Sequence, residues 1–568
     1  MRLCVPTTLQ KKILYLVIFL YPVLFIFQGG DLTDVGFFAM TYQNFFYELQ
    51  LGNTNSISIL SDFIGASWLT LFPNLGIIGL KFLSLIFFYF SVGLIYLILK
   101  NLTEKRLLLW LGIFCGIVFA TRNSSFEFGR DEASWLFLIL TSFVAIKGLT
   151  SRRKIFFYYS GILFVLACLS RFPNIGFILL FPFALIYFQV GKWKSFSIKY
   201  LWLPFKQYVL FLLGTITALM VVLLIFKSLN IYHIFLKNLD VIRNSADNAS
   251  VSSYSMAHLI QSYLRESFVF LPHLLSVVFL ILTTSLIYKY STKKGNYLGL
   301  VVFVILLFCS GLFIFLDFSS RNNIKYLVPA FCAFPLTISI IRRDKFSPIV
   351  VIFSLLALTQ VVGSNTGLFY KLSKGFMVLL PLSILILSET KKIELKNLCI
   401  LTKPVLIIGV LYIFFFSIVT RLGSIYHVDT GITSRFRCIY PVEHKKMIGI
   451  LTTKENASHI KQLSNAIENN ISEGENLFIY GHQPMFYYLT KTAPPIKKFW
   501  LTNNYIQIDE LFNSLEKSIN STKKYPMIVD TKQNIMGNEG QRRFEQFLKE
   551  YGYKQIENRR NFDIWKKF

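Results

Sequence analysis

The chain is 568 residues long, 54% hydrophobic and only 15% charged, with a formal net charge of +28 and a mean hydropathy of +0.54. Soluble globular proteins carry roughly 25% charged residues, and a single core stops growing at about 250–300 residues, so the natural solvent for this much apolar surface is lipid. A water-soluble enzyme, a disordered chain and a fibrous protein are excluded on these grounds.

Apolar runs near the length needed to span a bilayer, about 17–25 residues, recur at 11–28, 75–99, 106–121, 132–149, 154–170, 174–190, 205–227, 267–289, 297–316, 324–341, 347–362, 375–389 and 399–421. The pattern predicts a polytopic α-helical membrane protein with about 13 transmembrane helices. The first run has a basic start but is long and lacks a clear small-residue cleavage site, so it reads as an uncleaved helix.

Loop charge sets the orientation. With the N-terminus inside, the inner loops hold Lys11–Lys12, Lys105–Arg106, Arg152–Lys154, Lys293–Lys294, Arg342–Arg343 and Lys391–Lys392. The first outer loop, 29–74, holds Asp31, Asp34, Glu48 and Asp62 and no Lys or Arg. This is the positive-inside distribution. An odd number of spans then puts the C-terminus outside. Stretches 40–50 and 57–72 of that loop read as amphipathic interfacial helices.

Composition changes after residue 421. Residues 1–421 hold 37 Lys and Arg against 15 Asp and Glu, whereas 422–568 hold 21 against 15 in polar, Asn-rich sequence. Short apolar runs at Leu477–Tyr480 and Met527–Asp530 alternate with helical patterns near 455–470, 508–520 and 539–551. The expectation is a transmembrane domain over 1–421 and a C-terminal extracytoplasmic α/β domain over 422–568. The basic excess suits inner loops and lipid phosphates. No basic cluster sits on a nucleic-acid-binding motif, so nucleic acid is not an expected partner. The seven cysteines form no CxxC pair, which argues against a zinc site or a disulfide framework.

Two acidic clusters carry the chemistry. Asp31 and Asp34 lie in Gly29-Gly30-Asp31-Leu32-Thr33-Asp34-Val35-Gly36-Phe37-Phe38, directly after the first helix. Asp131 and Glu132, preceded by Arg130, open the fourth predicted span on the same face. Each alone reads equally well as a solvated loop acid or a favourable charge at a helix N-terminus. Their convergence on one side of the membrane is what a base and its partner require. Cations follow on that side: Arg171 beside Pro173, Arg321 and Lys325, then Lys371 and Lys374. The guanidinium fork suits phosphate oxygens, while interfacial snorkelling accounts equally for the lysines. His482, in Tyr480-Gly481-His482-Gln483-Pro484, reads as a loop histidine.

The segment Asp34-Val35-Gly36-Phe37-Phe38 resembles the Asp-Glu-x-Tyr-Tyr type segment of GT-C glycosyltransferases, with Val35 in place of the second acid. That superfamily includes protein O-mannosyltransferases and the aminoarabinose transferases of lipid A. The likeness extends to Asp131, to Ser170-Arg171-Phe172-Pro173-Asn174, to Gly363-Ser364-Asn365-Thr366-Gly367, to the many-helix body and to the outer C-terminal domain.

The resemblance implies an inverting glycosyltransferase in a bacterial inner membrane. It would move a sugar from a polyprenyl-phosphate carrier to an envelope lipid, glycan or protein on the extracytoplasmic face. Asp34 and Asp131 would be catalytic, Asp34 as the base. Asp31, Arg130, Arg171, Asn174, Arg321, Lys325, Ser364 and Asn365 would bind substrate. It leaves the cofactor open, with a divalent cation as a candidate, because members differ in metal dependence. The competing readings are a lipid-linked oligosaccharide flippase, which calls for mid-span charges and an internal repeat, and a polysaccharide polymerase.

Overall fold

The computed structural model describes residues 8–50, 58–122, 126–151, 153–190, 201–247, 256–294, 324–362, 367–390, 392–395, 398–427, 431–496, 501, 508–533 and 537–568. The helices in chain order are α1 (Thr8–Val23), α2 (Asp34–Gln50), α3 (Ile59–Leu71), α4 (Gly76–Leu99), α5 (Arg106–Ala120), α6 (Arg130–Ser151), α7 (Ile155–Ser170), α8 (Phe177–Val190) and α9 (Trp202–Ser228). There follow α10 (Tyr232–Asp247), α11 (Met256–Lys294), α12 (Ile324–Arg342), α13 (Ser347–Val361), α14 (Leu368–Leu372), α15 (Phe376–Glu389) and α16 (Thr402–Gly423). Among the described residues, 6 helical segments are long and apolar enough to cross a membrane, and α5, α7, α13 and α15 are shorter apolar helices. The apolar run at 297–316 lies outside the described residues.

Helices are the expected solution, because each satisfies its backbone within the segment and leaves no polar group to lipid. Between α7 and α9 the packing depends on small residues. A Cβ on Gly161 would stand 2.0 Å from the Phe211 carbonyl oxygen, and one on Gly214 would stand 2.0 Å from that of Tyr158. Only glycine lets the two backbones approach so closely.

Run boundaries shift from the sequence reading, most at α11, which extends over Met256–Lys294 where the run was 267–289, and two shifts have a local cause. The first helix ends at Val23 rather than near 28, next to Pro22, which has no amide hydrogen to donate back along the helix. At the other end, Leu398–Leu401 (β2) pairs antiparallel with Lys392–Leu395 (β1), so the last helix starts at Thr402 rather than at 399.

Beyond α16 the chain forms a mixed four-stranded sheet. Leu477–Tyr480 (β7) runs parallel to Met527–Asp530 (β8), followed by Asp563–Lys566 (β10) and Lys554–Asn558 (β9), both antiparallel, in the order β7-β8-β10-β9. Short two-stranded pairs precede it: Ile425–His427 (β3) with Gly431–Thr433 (β4), and Tyr440–Pro441 (β5) with Leu451–Thr452 (β6). Helices α17 (Lys454–Asn470), α18 (Met485–Thr490), α19 (Ile508–Thr522) and α20 (Gly537–Glu550) connect and cover the strands.

This C-terminal unit is built into the membrane body. One core joins Leu32, Val35 and Tyr42, from the segment after α1, to Ile460, Phe486 and Val529. The segment before Asp34 is held by backbone and side-chain bonds from the C-terminal side. Gly29 N–H donates to the Leu451 carbonyl (2.9 Å) and Leu451 N–H to that of Phe27 (2.6 Å). Asn456 donates to the Gly30 carbonyl (3.0 Å), and Met485 N–H to that of Leu32 (3.0 Å). Gly36 completes the seam, because a Cβ there would lie 2.2 Å from the Met485 nitrogen.

Gly36→Val is therefore expected to part α2 from α18 and destabilise the fold by about 1–3 kcal/mol, the usual penalty of overpacking. Thermal unfolding of the purified protein checks this, and an unchanged midpoint would show that the seam yields freely.

Candidate active site

The segment after α1 is shaped by helix-capping chemistry. Asp31 is buried, and its carboxylate accepts from Thr33 N–H (3.1 Å), Thr33 Oγ1 (2.8 Å) and Val35 N–H (3.4 Å). It thus caps α2, whose first residue is Asp34. Among the described residues nothing donates a hydrogen bond to the Asp34 carboxylate.

Asp131 is the opposite case. On the first turn of α6 it receives Arg171 Nε at 3.3 Å and Lys371 Nζ at 2.5 Å, one on each oxygen. Its neighbour Glu132 pairs with Lys374 at 2.6 Å. Arg171 ends α7 in an extended conformation (φ −156°, ψ 104°), where a turn containing Pro173 stops the helix. Its Nη2 donates to the Val362 carbonyl at 2.9 Å, while its buried Nη1 has no hydrogen-bond partner among the described residues.

The two carboxylates therefore titrate differently. Burial above all, then the negative charge of Asp31, pushes the Asp34 carboxyl up to about 7. The charges of Lys371 and Arg130 pull it down, and that of Asp131 pushes it up. Two acids whose surroundings separate their protonation are the usual signature of divided acid–base roles.

Arg130 lies with its guanidinium 5.7 Å from the rings of both Phe37 and Phe38, tying the start of α6 to the start of α2. Asn174 is fully buried. Its amide donates to Ser134 Oγ (2.7 Å) and the Ala167 carbonyl (2.7 Å), and its oxygen accepts from Gln360 (2.9 Å). That network fixes the turn carrying Arg171. Lys325 sits apart from Asp131, 3.4 Å from Glu266. Arg321, Ser364 and Asn365 lie outside the described residues. His482 is half-buried in the C-terminal unit, where burial lowers its pKa and its backbone N–H donates to Gln533 (2.9 Å).

Asp62 on α3 joins this neighbourhood without having been singled out in the sequence. It is buried, accepts from Ser58 Oγ at 2.9 Å, and burial pushes it up to about 6 against the pull of Arg130. The available signal was an acid in an otherwise apolar interfacial stretch. Among the described residues no three His, Cys, Asp or Glu side chains gather as a metal site. Asp131, with a cation on each oxygen, is poorly placed to hold a further one.

No protein-family model matches the chain, and no curated protein matches it in sequence. Two solved structures are similar over nearly all of it. ArnT from Cupriavidus metallidurans bound to undecaprenyl phosphate superposes with a TM-score of 0.53 at 9% identity, covering 98% of both chains. The same protein in the apo state gives 0.51 at 10% identity and the same coverage. At such identity the likeness is one of fold, and it agrees with the many-helix membrane architecture expected from the sequence.

Asp34→Asn is expected to change the pH dependence of stability. A carboxyl with a folded-state pKa near 7 lies above its ordinary value of about 4. Folding gains from its protonated form at low pH, and the gain is lost as pH rises through about 7. Between pH 5 and 8 the wild-type melting temperature should fall more steeply than that of Asp34→Asn, which should be the more stable at pH 8. Parallel curves would mean that Asp34 titrates normally. Asp131→Asn should do the reverse and destabilise at neutral pH by about 3–5 kcal/mol, because it strands buried cations. Thermal unfolding reads both.

Proposed function

We propose that this chain is an integral-membrane glycosyltransferase that takes a sugar from a polyprenyl-phosphate carrier and acts on the extracytoplasmic face of a bacterial inner membrane. The observation that carries the reading is the contrast between Asp34, a recessed carboxylate with no donor among the described residues and a pKa near 7, and the Asp131–Arg171–Lys371 cluster beside it. The fold shared with ArnT, whose crystal structure holds undecaprenyl phosphate, supports the carrier class. In this reading residues 1–421 span the membrane about thirteen times, and 422–568 form the outer α/β domain that closes over the site.

The chemistry follows from the charges. Ionised Asp34 removes the proton of an acceptor hydroxyl placed within about 3 Å. The oxygen's electron pair attacks the anomeric carbon opposite the phosphate. The carbon–oxygen bond to phosphate breaks, and polyprenyl phosphate leaves with the bonding electrons. One displacement inverts the anomeric centre. Arg171, through Nη1, and Lys371 neutralise the departing phosphate, and Asp131 holds both cations in place. Arg130, Arg321, Lys325, Ser364 and Asn365 complete the substrate-binding set, while Asp31 and Asn174 support it from behind. The acceptor is an envelope lipid, glycan or protein.

The test is sugar transfer by purified protein supplied with polyprenyl-phosphate sugars and envelope extracts, with and without EDTA. Asp34→Asn should lower the rate by about 10²–10⁴ while folding and binding of undecaprenyl phosphate persist. The wild-type rate should rise with pH through about 7 as Asp34 ionises. Equal transfer by the two proteins would remove Asp34 from the mechanism. Translocation of a lipid-linked sugar across vesicles without transfer would identify a flippase instead.

A further inference from the structure

Lys371 and Lys374 engage the acids of α6 from α14 and the residues just after it, and α14 is only 5 residues long. So short a helix cannot hold its own position. The support comes from α11. Tyr263 Oη donates to the Val361 carbonyl at 2.7 Å. One turn later Glu266 accepts from Phe369 N–H at 3.1 Å with one oxygen, and meets Lys325 of α12 at 3.4 Å with the other. These two residues, at i and i+3 on one face of α11, thus grip the end of α13 and the start of α14.

Aromatic packing reinforces the second grip, with Phe369 stacked on Phe270 (4.7 Å) and edge-on to Tyr326 (5.1 Å). Gly367 leaves room for the carboxylate. Its φ is +92°, and a Cβ there would lie 2.4 Å from Glu266 Oε1. Arg171 holds the Val362 carbonyl between the two grips. The helix that carries Lys371 to Asp131 is therefore held by a carboxylate that does not touch Lys371.

We propose that Glu266 is a positioning residue, which fixes the start of α14 so that Lys371 is presented to Asp131 and to the phosphate of the carrier. The phosphate part of this rests on the glycosyltransferase reading; the placement of Lys371 does not. Acylation of lysines in the full-length protein in nanodiscs, read site by site by mass spectrometry, measures the placement directly. Lys371 should be labelled several-fold faster in Glu266→Ala than in wild type, with exposed Lys461 of the C-terminal unit unchanged as control. Glu266→Gln keeps an oxygen to accept from Phe369 N–H and should restore protection. If Glu266→Ala loses its fold, seen as faster labelling at every lysine, Tyr263→Phe carries the test, since it removes one neutral hydrogen bond and should raise labelling at Lys371 alone.

Undecaprenyl phosphate binding is the second readout. Glu266→Ala should weaken it about tenfold, as loss of a charged contact would, and no further when combined with Lys371→Ala. Labelling of Lys371 that ignores both Glu266 and Tyr263 overturns the proposal whatever the lipid does. Labelling that responds while undecaprenyl phosphate binds no variant, wild type included, leaves the clamp standing and overturns the phosphate reading instead.

Discussion

Asp131 draws Arg171 and Lys371 onto its two oxygens, and the ends of α6, α7 and α14 meet at that point. A buried carboxylate without cations would be forced to neutralise. One with two cations stays charged and leaves a neighbouring acid to be the group that changes protonation. Asp34 is that neighbour. The division of labour between them arises from placement alone, since the two side chains are identical.

Placement in turn depends on parts of the chain far apart in sequence. Asp34 begins a helix capped by Asp31, and that cap hangs from a segment bonded to Leu451, Asn456 and Met485 of the C-terminal unit. The C-terminal unit is thus a structural support of the Asp31–Asp34 segment. At the joint, Lys446 donates to Gln43 of α2 (2.8 Å) and to the Tyr488 carbonyl, and burial holds its ammonium down to about 7. Removing the C-terminal unit would leave Gly29, Gly30 and Leu32 without these bonds.

A fold retained at 9–10% identity is understandable in lipid. The bilayer accepts any apolar side chain on an outward face but no unsatisfied backbone, so sequence drifts while helices persist. Asn174, whose amide is fully engaged by Ser134, Ala167 and Gln360, shows how part of the polar sequence serves to hold other residues in position.

Much of this was legible in one dimension. Run length and loop charge are local quantities, and from them Asp34, Asp131 and Arg171 are predicted to share one face. They also indicated the strands at Leu477–Tyr480 and Met527–Asp530. Local pattern could not tell that Asp31 caps a helix or that Lys371 seeks Asp131, 240 positions away. Asp62 and Glu266 were hidden for the same reason, each a single acid at the edge of an apolar stretch. The sequence by itself determined the apolar helical body and the segments in which charge collects, because hydrophobicity and charge act residue by residue. Only the tertiary structure decided which acid is paired and which stands open, because that depends on distances between residues the chain brings together from its two halves.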